Sequence, residues 1–139
     1  MQYDYFVASR WRNKDEVLRL VHGLRDKGKS VYCFLDAPHQ SMYRLQEDPE
    51  KAMQVFESLD WKTDKYIKEV FEKDMDAERN ANNFILLLPA GKSAHVEAGA
   101  AYGFGKHLIL VGEQKEAESL YLIFDEHYST IDAFLASLS

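Results

Sequence analysis

The chain has 139 residues, 46% of them hydrophobic, with a formal net charge of −6 at pH 7. This length fits one compact domain, residues 1–139, and the acidic balance argues against the basic surface with which nucleic-acid binders neutralise phosphates. No apolar run reaches the roughly 18 residues of a membrane span, and the first twenty residues carry charges where a signal peptide is apolar. We therefore expect a cytoplasmic protein with neither a nucleic-acid polymer nor a membrane as its partner.

The first half of the chain alternates predicted strands and helices. Residues 3–9 are rich in aromatic and β-branched side chains, which predicts a strand. Apolar residues at helical spacing then predict a helix that ends near Gly28, and residues 29–35 predict a second strand. Residues 36–48 are polar and without period, typical of a long loop, and Pro49 opens a short predicted helix that extends to residue 56.

The second half continues the alternation. A helix is predicted over residues 63–79, and the apolar run at 84–88 is typical of a central parallel strand that is covered on both sides. A helix of small residues follows, then strands at 107–111 and 120–124 and a closing amphipathic helix with Ser129 or Thr130 as its cap. This pattern predicts a single-domain α/β protein of the flavodoxin or Rossmann-like type. Its parallel five-stranded sheet has the order 2-1-3-4-5, with helices on both faces.

In such a sheet the ligand crevice opens beyond the carboxyl ends of the first and third strands. The loop after the first strand contains Arg10 and Arg12 on either side of Trp11, immediately before a helix. Backbone N–H groups, the positive helix end and two guanidinium groups would together hold a phosphate well. Most basic loops, however, are only solvated surface, and Trp11 either stacks on a base or fills an edge of the core.

Two acidic residues occupy positions that suggest chemistry. Glu97 lies near the start of the small-residue helix, which can approach the sheet closely, and Asp74 continues the apolar stripe of the preceding helix. Each also has a plain structural interpretation. Glu97 can merely complement the helix dipole, and Asp74 can be an exposed residue at the edge of the stripe.

Several familiar motifs are incomplete in this chain. Gly91-Lys92-Ser93 looks like the end of a phosphate-binding P-loop, but the glycine required five positions earlier is Leu86. His95-Val96-Glu97 matches the H-x-E of zinc deaminases, whose pair of cysteines does not occur here. The histidines show no ligand spacing, so we predict no metal.

Three features in the same order resemble the nucleoside 2-deoxyribosyltransferase superfamily, which includes the 2'-deoxynucleoside 5'-phosphate N-hydrolases. The first is a tyrosine-bearing strand that ends in small residues, Tyr5-Phe6-Val7-Ala8-Ser9, and the second is Asp74 late in a helix. The third is Glu97-Ala98-Gly99-Ala100, followed by Gly105-Lys106 at the start of a strand. The resemblance covers nearly the whole chain.

The resemblance implies cleavage or transfer at an N-glycosidic bond of a nucleoside or nucleotide, without a cofactor. Glu97 would be the nucleophile, Asp74 would supply a proton to the departing base, and Tyr5 would orient Glu97 through its phenol. A homodimer or larger homo-oligomer is also implied. Residues assigned to the 5'-phosphate, sugar or base are Ser9, Arg10, Trp11, Arg12, Gly91 and Ser93.

The chain departs from the family pattern at Gly91. Six residues before the glutamate, the transferases place an aspartate and the monophosphate hydrolases a serine. Lys92 and Ser93 can substitute only from a shifted loop. A catalytically weak nucleotide-binding or regulatory module therefore stays open as an alternative, as does cleavage of a nicotinamide dinucleotide by a single glutamate.

Overall fold

The computed structural model describes residues 2–36, 58, 60–115 and 118–138. The predicted helix at 49–56, and all but the first residue of the predicted loop at 36–48, lie outside the described residues. Two short 3-10 helices occupy Trp11–Asn13 and Ser119–Ile123. The strands are β1 Tyr3–Ala8, β2 Val31–Cys33, β3 Ala81–Leu87, β4 His107–Val111 and β5 Glu126–Tyr128, and the helices are α1 Lys14–Asp26, α2 Lys65–Arg79, α3 Lys92–Gly103 and α4 Ile131–Ser137.

The five strands form one parallel sheet in the order β2-β1-β3-β4-β5. This confirms the predicted α/β architecture and strand order. Parallel neighbours need crossover connections, and the alternating helices supply them. No helix among the described residues is long and apolar enough to cross a membrane.

Alternating side chains of the strands build a separate core on each face of the sheet. In β1, Tyr5 and Val7 pack with α1 and α4, whereas Phe6 and Ala8 pack on the opposite face with α2 and α3. Odd and even positions along a strand therefore point to opposite faces of the sheet. This separation decides which tyrosine can reach the candidate site.

Small residues bring α3 close to the sheet. Ala94, Ala98 and Ala101 are buried in the core that α2 and α3 share, and α3 ends just before Gly105, whose φ is +75°. Only glycine adopts that left-handed conformation without strain, so it ends the helix efficiently. The close packing holds Glu97, on the second turn of α3, near the carboxyl edge of the sheet.

The predicted fifth strand at 120–124 is wrong. Residues Ser119–Ile123 form a 3-10 helix, in which Leu120 and Leu122 are 74% and 89% exposed while Tyr121 and Ile123 pack against the α2–α3 core. The segment's inward side chains cover that core, and the polar segment Glu126–Tyr128 pairs with β4 instead. A strand at the edge of a sheet need not be strongly apolar, so the composition of Glu126–Tyr128 did not predict a strand there.

Candidate active site

Hydrogen bonds join the loops that follow β1 and β3. The Ser9 hydroxyl donates to the Leu87 carbonyl at 2.8 Å. The Asn13 side-chain amide donates to the Ser9 hydroxyl at 3.3 Å and to the Pro89 carbonyl at 3.5 Å. These contacts place both loops at the same carboxyl edge, where parallel α/β sheets bind ligands.

Asp74, Glu97 and Tyr32 lie together on the face of the sheet that α2 and α3 cover. Asp74 on α2 and Glu97 on α3 are both partly buried, and the two helices pack on the same face of the sheet. The buried Tyr32 of β2 donates its phenolic hydrogen to Asp74 Oδ1 at 2.6 Å. Tyr32 also stacks on Phe6 with ring centroids 5.2 Å apart, so the position of its hydroxyl is fixed by packing.

The electrostatics of this centre favour a protonated Glu97. Burial raises the pKa of Glu97 well above its ordinary value, and the carboxyl groups of Asp74 and Glu78 raise it further. Burial and the adjacent Asp74 carboxylate likewise raise the pKa of the Tyr32 phenol, so it stays a hydrogen-bond donor. No hydrogen bond to the Glu97 carboxyl group comes from the described residues, and its pKa is raised by burial and by neighbouring acids alone.

Tyr5 is not part of this centre. Its side chain lies on the opposite face of the sheet, edge-on to Phe134 with ring centroids 6.1 Å apart. Burial, then Glu126, raises the pKa of its phenol. The structure does not bring Tyr5 to Glu97, and the expected orienting role is corrected: the phenol near the two acids is that of Tyr32.

The predicted phosphate-binding residues are arranged around the joined loops. Arg10 and Arg12 are exposed, and Trp11 between them packs edge-on against Phe34 with centroids 5.4 Å apart. Trp11 thus packs at the edge of the core that lies between the sheet and α1. Filling an edge of the core was one of the two roles expected for it from the sequence.

Gly91 and Ser93 lie at the start of α3. Gly91 caps the helix with φ −92°, which any residue adopts, and a Cβ added there would meet no atom within 4 Å. Open space therefore occupies the position where the family pattern has a side chain. Ser93 is exposed in the first turn, at the carboxyl edge where the two loops meet.

Sequence reasoning missed Tyr32 and Glu78. Tyr32 is flanked by two residues that point to the other core, so strand alternation could have placed it on the face of α2 and α3. Glu78 follows Asp74 by four residues, which puts both on one face of α2. Neither pattern assigns its residue to the site until the structure shows on which face of the sheet Glu97 lies.

Comparisons with known proteins identify the fold. No protein-family model matches the sequence, and no curated protein matches it significantly. The structure is similar to a 2-deoxyribosyltransferase from Bacillus psychrosaccharolyticus, with a TM-score of 0.67 and 17% identity over 94% of this chain and 89% of that one. It is also similar to the CMP N-glycosidase BcmB of Clostridium botulinum, with a TM-score of 0.57 and 20% identity over 96% of each chain.

The chain shares the α/β fold of these two enzymes. At these identities the likeness establishes the fold alone. The two alignments cover 94% and 96% of this chain, so the shared fold extends over most of it. The predicted homo-oligomer and cytoplasmic location stay predictions.

Tyr32→Phe is expected to destabilise the protein by about 1.5 to 3 kcal/mol near neutral pH, the usual cost of losing a hydrogen bond to a charged group. The substitution leaves the Asp74 carboxylate partly buried without its phenolic donor. Denaturant unfolding measures the change. Tyr102→Phe is the matched control, because Tyr102 is 60% exposed on α3 and should tolerate the same deletion. Equal stability of both variants would contradict the prediction.

Proposed function

We propose that this protein cleaves or transfers an N-glycosidic bond of a nucleoside or nucleotide, with Glu97 as nucleophile and Asp74 as proton donor. The observation that carries the proposal is the proximity of these two carboxyl groups on neighbouring helices, with Asp74 near enough to raise the pKa of Glu97 and hydrogen-bonded to Tyr32 at 2.6 Å. Both structural neighbours act on N-glycosidic bonds, one as a 2-deoxyribosyltransferase and one as a CMP N-glycosidase, and this supports the same reaction class.

The chemistry needs one ionised and one protonated acid. Breaking the N-glycosidic bond builds positive charge on the sugar, which a carboxylate stabilises and then traps as a glycosyl ester. The departing base takes up a proton at the nitrogen that held the sugar. Water or a second base then attacks the ester while its proton passes to the Asp74 carboxylate, and Glu97 leaves as carboxylate.

One proton shared between the two acids serves both roles. Two carboxyl groups in close proximity cannot both ionise easily, so the pair titrates as a unit. Because burial raises the pKa of Glu97, its proton has to move before it can attack. Transfer of that proton to Asp74 would create the nucleophile and the acid in a single step, while the Tyr32 hydroxyl holds Asp74 in place.

We expect a monophosphate to bind more tightly than the matching nucleoside, because the exposed Arg10 and Arg12 lie beside the joined loops. Charge-assisted bonds from each guanidinium group would contribute about 1.5 to 3 kcal/mol if desolvated. Calorimetry on the wild type, Arg10→Ala and Arg12→Ala should show a loss confined to the monophosphate. Lys68→Ala, an exposed cation on α2, is the control. Equal losses for nucleoside and monophosphate would count against a phosphate site.

The decisive experiment is a panel of ribonucleosides, deoxyribonucleosides and their monophosphates, assayed for released base. Release from one class supports the proposed reaction. The second candidate, a nucleotide-binding module without turnover, is favoured by the missing side chain at Gly91. Tight binding with no release from any member of the panel would select that module and refute the enzyme.

A further inference from the structure

Glu78 is a buried acid that the proposed reaction does not use. Its side chain is 0% exposed, and neither carboxyl oxygen has a hydrogen-bond partner of acceptable geometry among the described residues. The backbone of Ala101 on α3 faces the Glu78 carboxyl group and lowers its pKa, an effect that ranks below the opposing effect of burial. An unpaired carboxylate in such surroundings costs far more free energy than a neutral carboxylic acid. The geometry therefore favours a protonated Glu78.

The side chain lies directly behind the Asp74–Glu97 pair. Glu78 follows Asp74 by one turn of α2, and Ala101, which faces Glu78, follows Glu97 by one turn of α3. Both helices run away from the carboxyl edge of the parallel sheet. Glu78 is thus one turn deeper than the pair, out of reach of a ligand in the crevice but close enough to act on both acids electrostatically.

The charged groups around Glu78 do not neutralise it. Asp74 from α2 and Glu97 from α3 are acids, and the two nearby cations are Arg79 and Lys106. Arg79 pairs with Asp76 at 3.0 Å on the exposed side of α2, and the Lys106 ammonium donates to the Arg79 carbonyl at 2.5 Å. No group of His, Cys, Asp or Glu within the described part of the chain is arranged to hold a metal ion.

The effect on Glu97 follows from these contacts. Burial, followed by the Asp74 carboxylate, raises the pKa of Glu78 to about 8. Glu78 in turn raises the pKa of Glu97, after burial and Asp74. The three carboxyl groups therefore share their protons as one coupled system.

We propose that Glu78 is a positioning residue of the candidate site, a buried carboxyl group behind Asp74 and Glu97 that contributes, after burial and Asp74, to the pH at which Glu97 loses its proton. The catalytic meaning rests on the proposed function, since only a Glu97 nucleophile has to lose that proton. The electrostatic part is a property of the folded chain alone. It can be measured without any substrate.

The test is a carbon-13 NMR titration of the side-chain carboxyl groups in the wild type and in Glu78→Gln. We expect a wild-type Glu78 resonance that titrates near pH 8 and disappears in the variant. We also expect the Glu97 midpoint to fall measurably, because Glu78 raises the pKa of Glu97 in the wild type. Glu72→Gln, the same chemical change on the exposed side of α2, should leave the Glu97 midpoint unchanged.

Two results would overturn the inference: a wild-type Glu78 that titrates in the ordinary carboxyl range, or a Glu97 midpoint that is the same with and without Glu78. The first measurement needs no variant, and Glu78→Met replaces the group by an apolar one if Glu78→Gln does not fold. Failure of the proposed function is a separate result, because it would appear as absent base release while these titrations stayed as expected.

Discussion

Glu97→Gln is expected to reduce base release by roughly 10³-fold or more while the protein stays folded, because loss of a nucleophile removes the covalent route entirely. Glutamine keeps the shape of the side chain but cannot carry the negative charge that stabilises the sugar cation. Since burial raises the pKa of Glu97 in the folded protein, a neutral amide should be tolerated at that position. Base release and the thermal midpoint are measured on the same preparations.

The competing interpretation makes a different forecast. If Glu97 only complements the dipole of α3, its replacement should cost about 0.3 to 1 kcal/mol of stability and leave activity almost unchanged. Glu72→Gln removes a carboxylate from the exposed side of α2 and should retain full activity. A Glu97→Gln variant with wild-type turnover would end the proposed mechanism, whatever its stability.

The second large effect concerns stability against pH. Burial raises the pKa of Glu78 from 4.5 to about 8, so the folded protein binds a proton that the unfolded chain releases. The associated stability is fully present below pH 4.5 and is lost as pH rises through about 8, at up to roughly 1.4 kcal/mol per pH unit. Glu78→Gln lacks this pH dependence. We therefore expect its free energy of unfolding, compared with that of the wild type, to rise by several kcal/mol between pH 4.5 and pH 8.

Denaturant unfolding of both proteins at several pH values between 4.5 and 8 checks this expectation. The quantity of interest is the difference between the two curves, because groups remote from Glu78 contribute equally to each and only Glu78 with the acids coupled to it remains in the difference. Glu72→Gln provides the reference, and its curve should run parallel to that of the wild type. Parallel curves for Glu78→Gln and the wild type would show that Glu78 does not retain its proton on folding.

The order of elements along the chain was enough to predict the architecture. The apolar run that contains Phe84 and Ile85 can only be buried on both sides, and that burial requires helices on both faces of a parallel sheet. The small residues of α3 likewise marked a helix that packs closely on the sheet. These signals are local and periodic. The edge strand β5 carries neither signal, which is why it was misplaced.

The sequence by itself determined the fold, the strand order and the choice of Glu97 and Asp74 as candidate acids, because these depend on local periodicity and on the order of motifs. Only the tertiary structure decided which groups surround those acids. Tyr5 and Tyr32 are both buried strand tyrosines, yet parity along each strand sends one to the α1 side and the other to Asp74. Glu78 becomes an unpaired buried acid only when α2 and α3 pack on the same face, since burial and the approach of distant charges are properties of packing rather than of the chain.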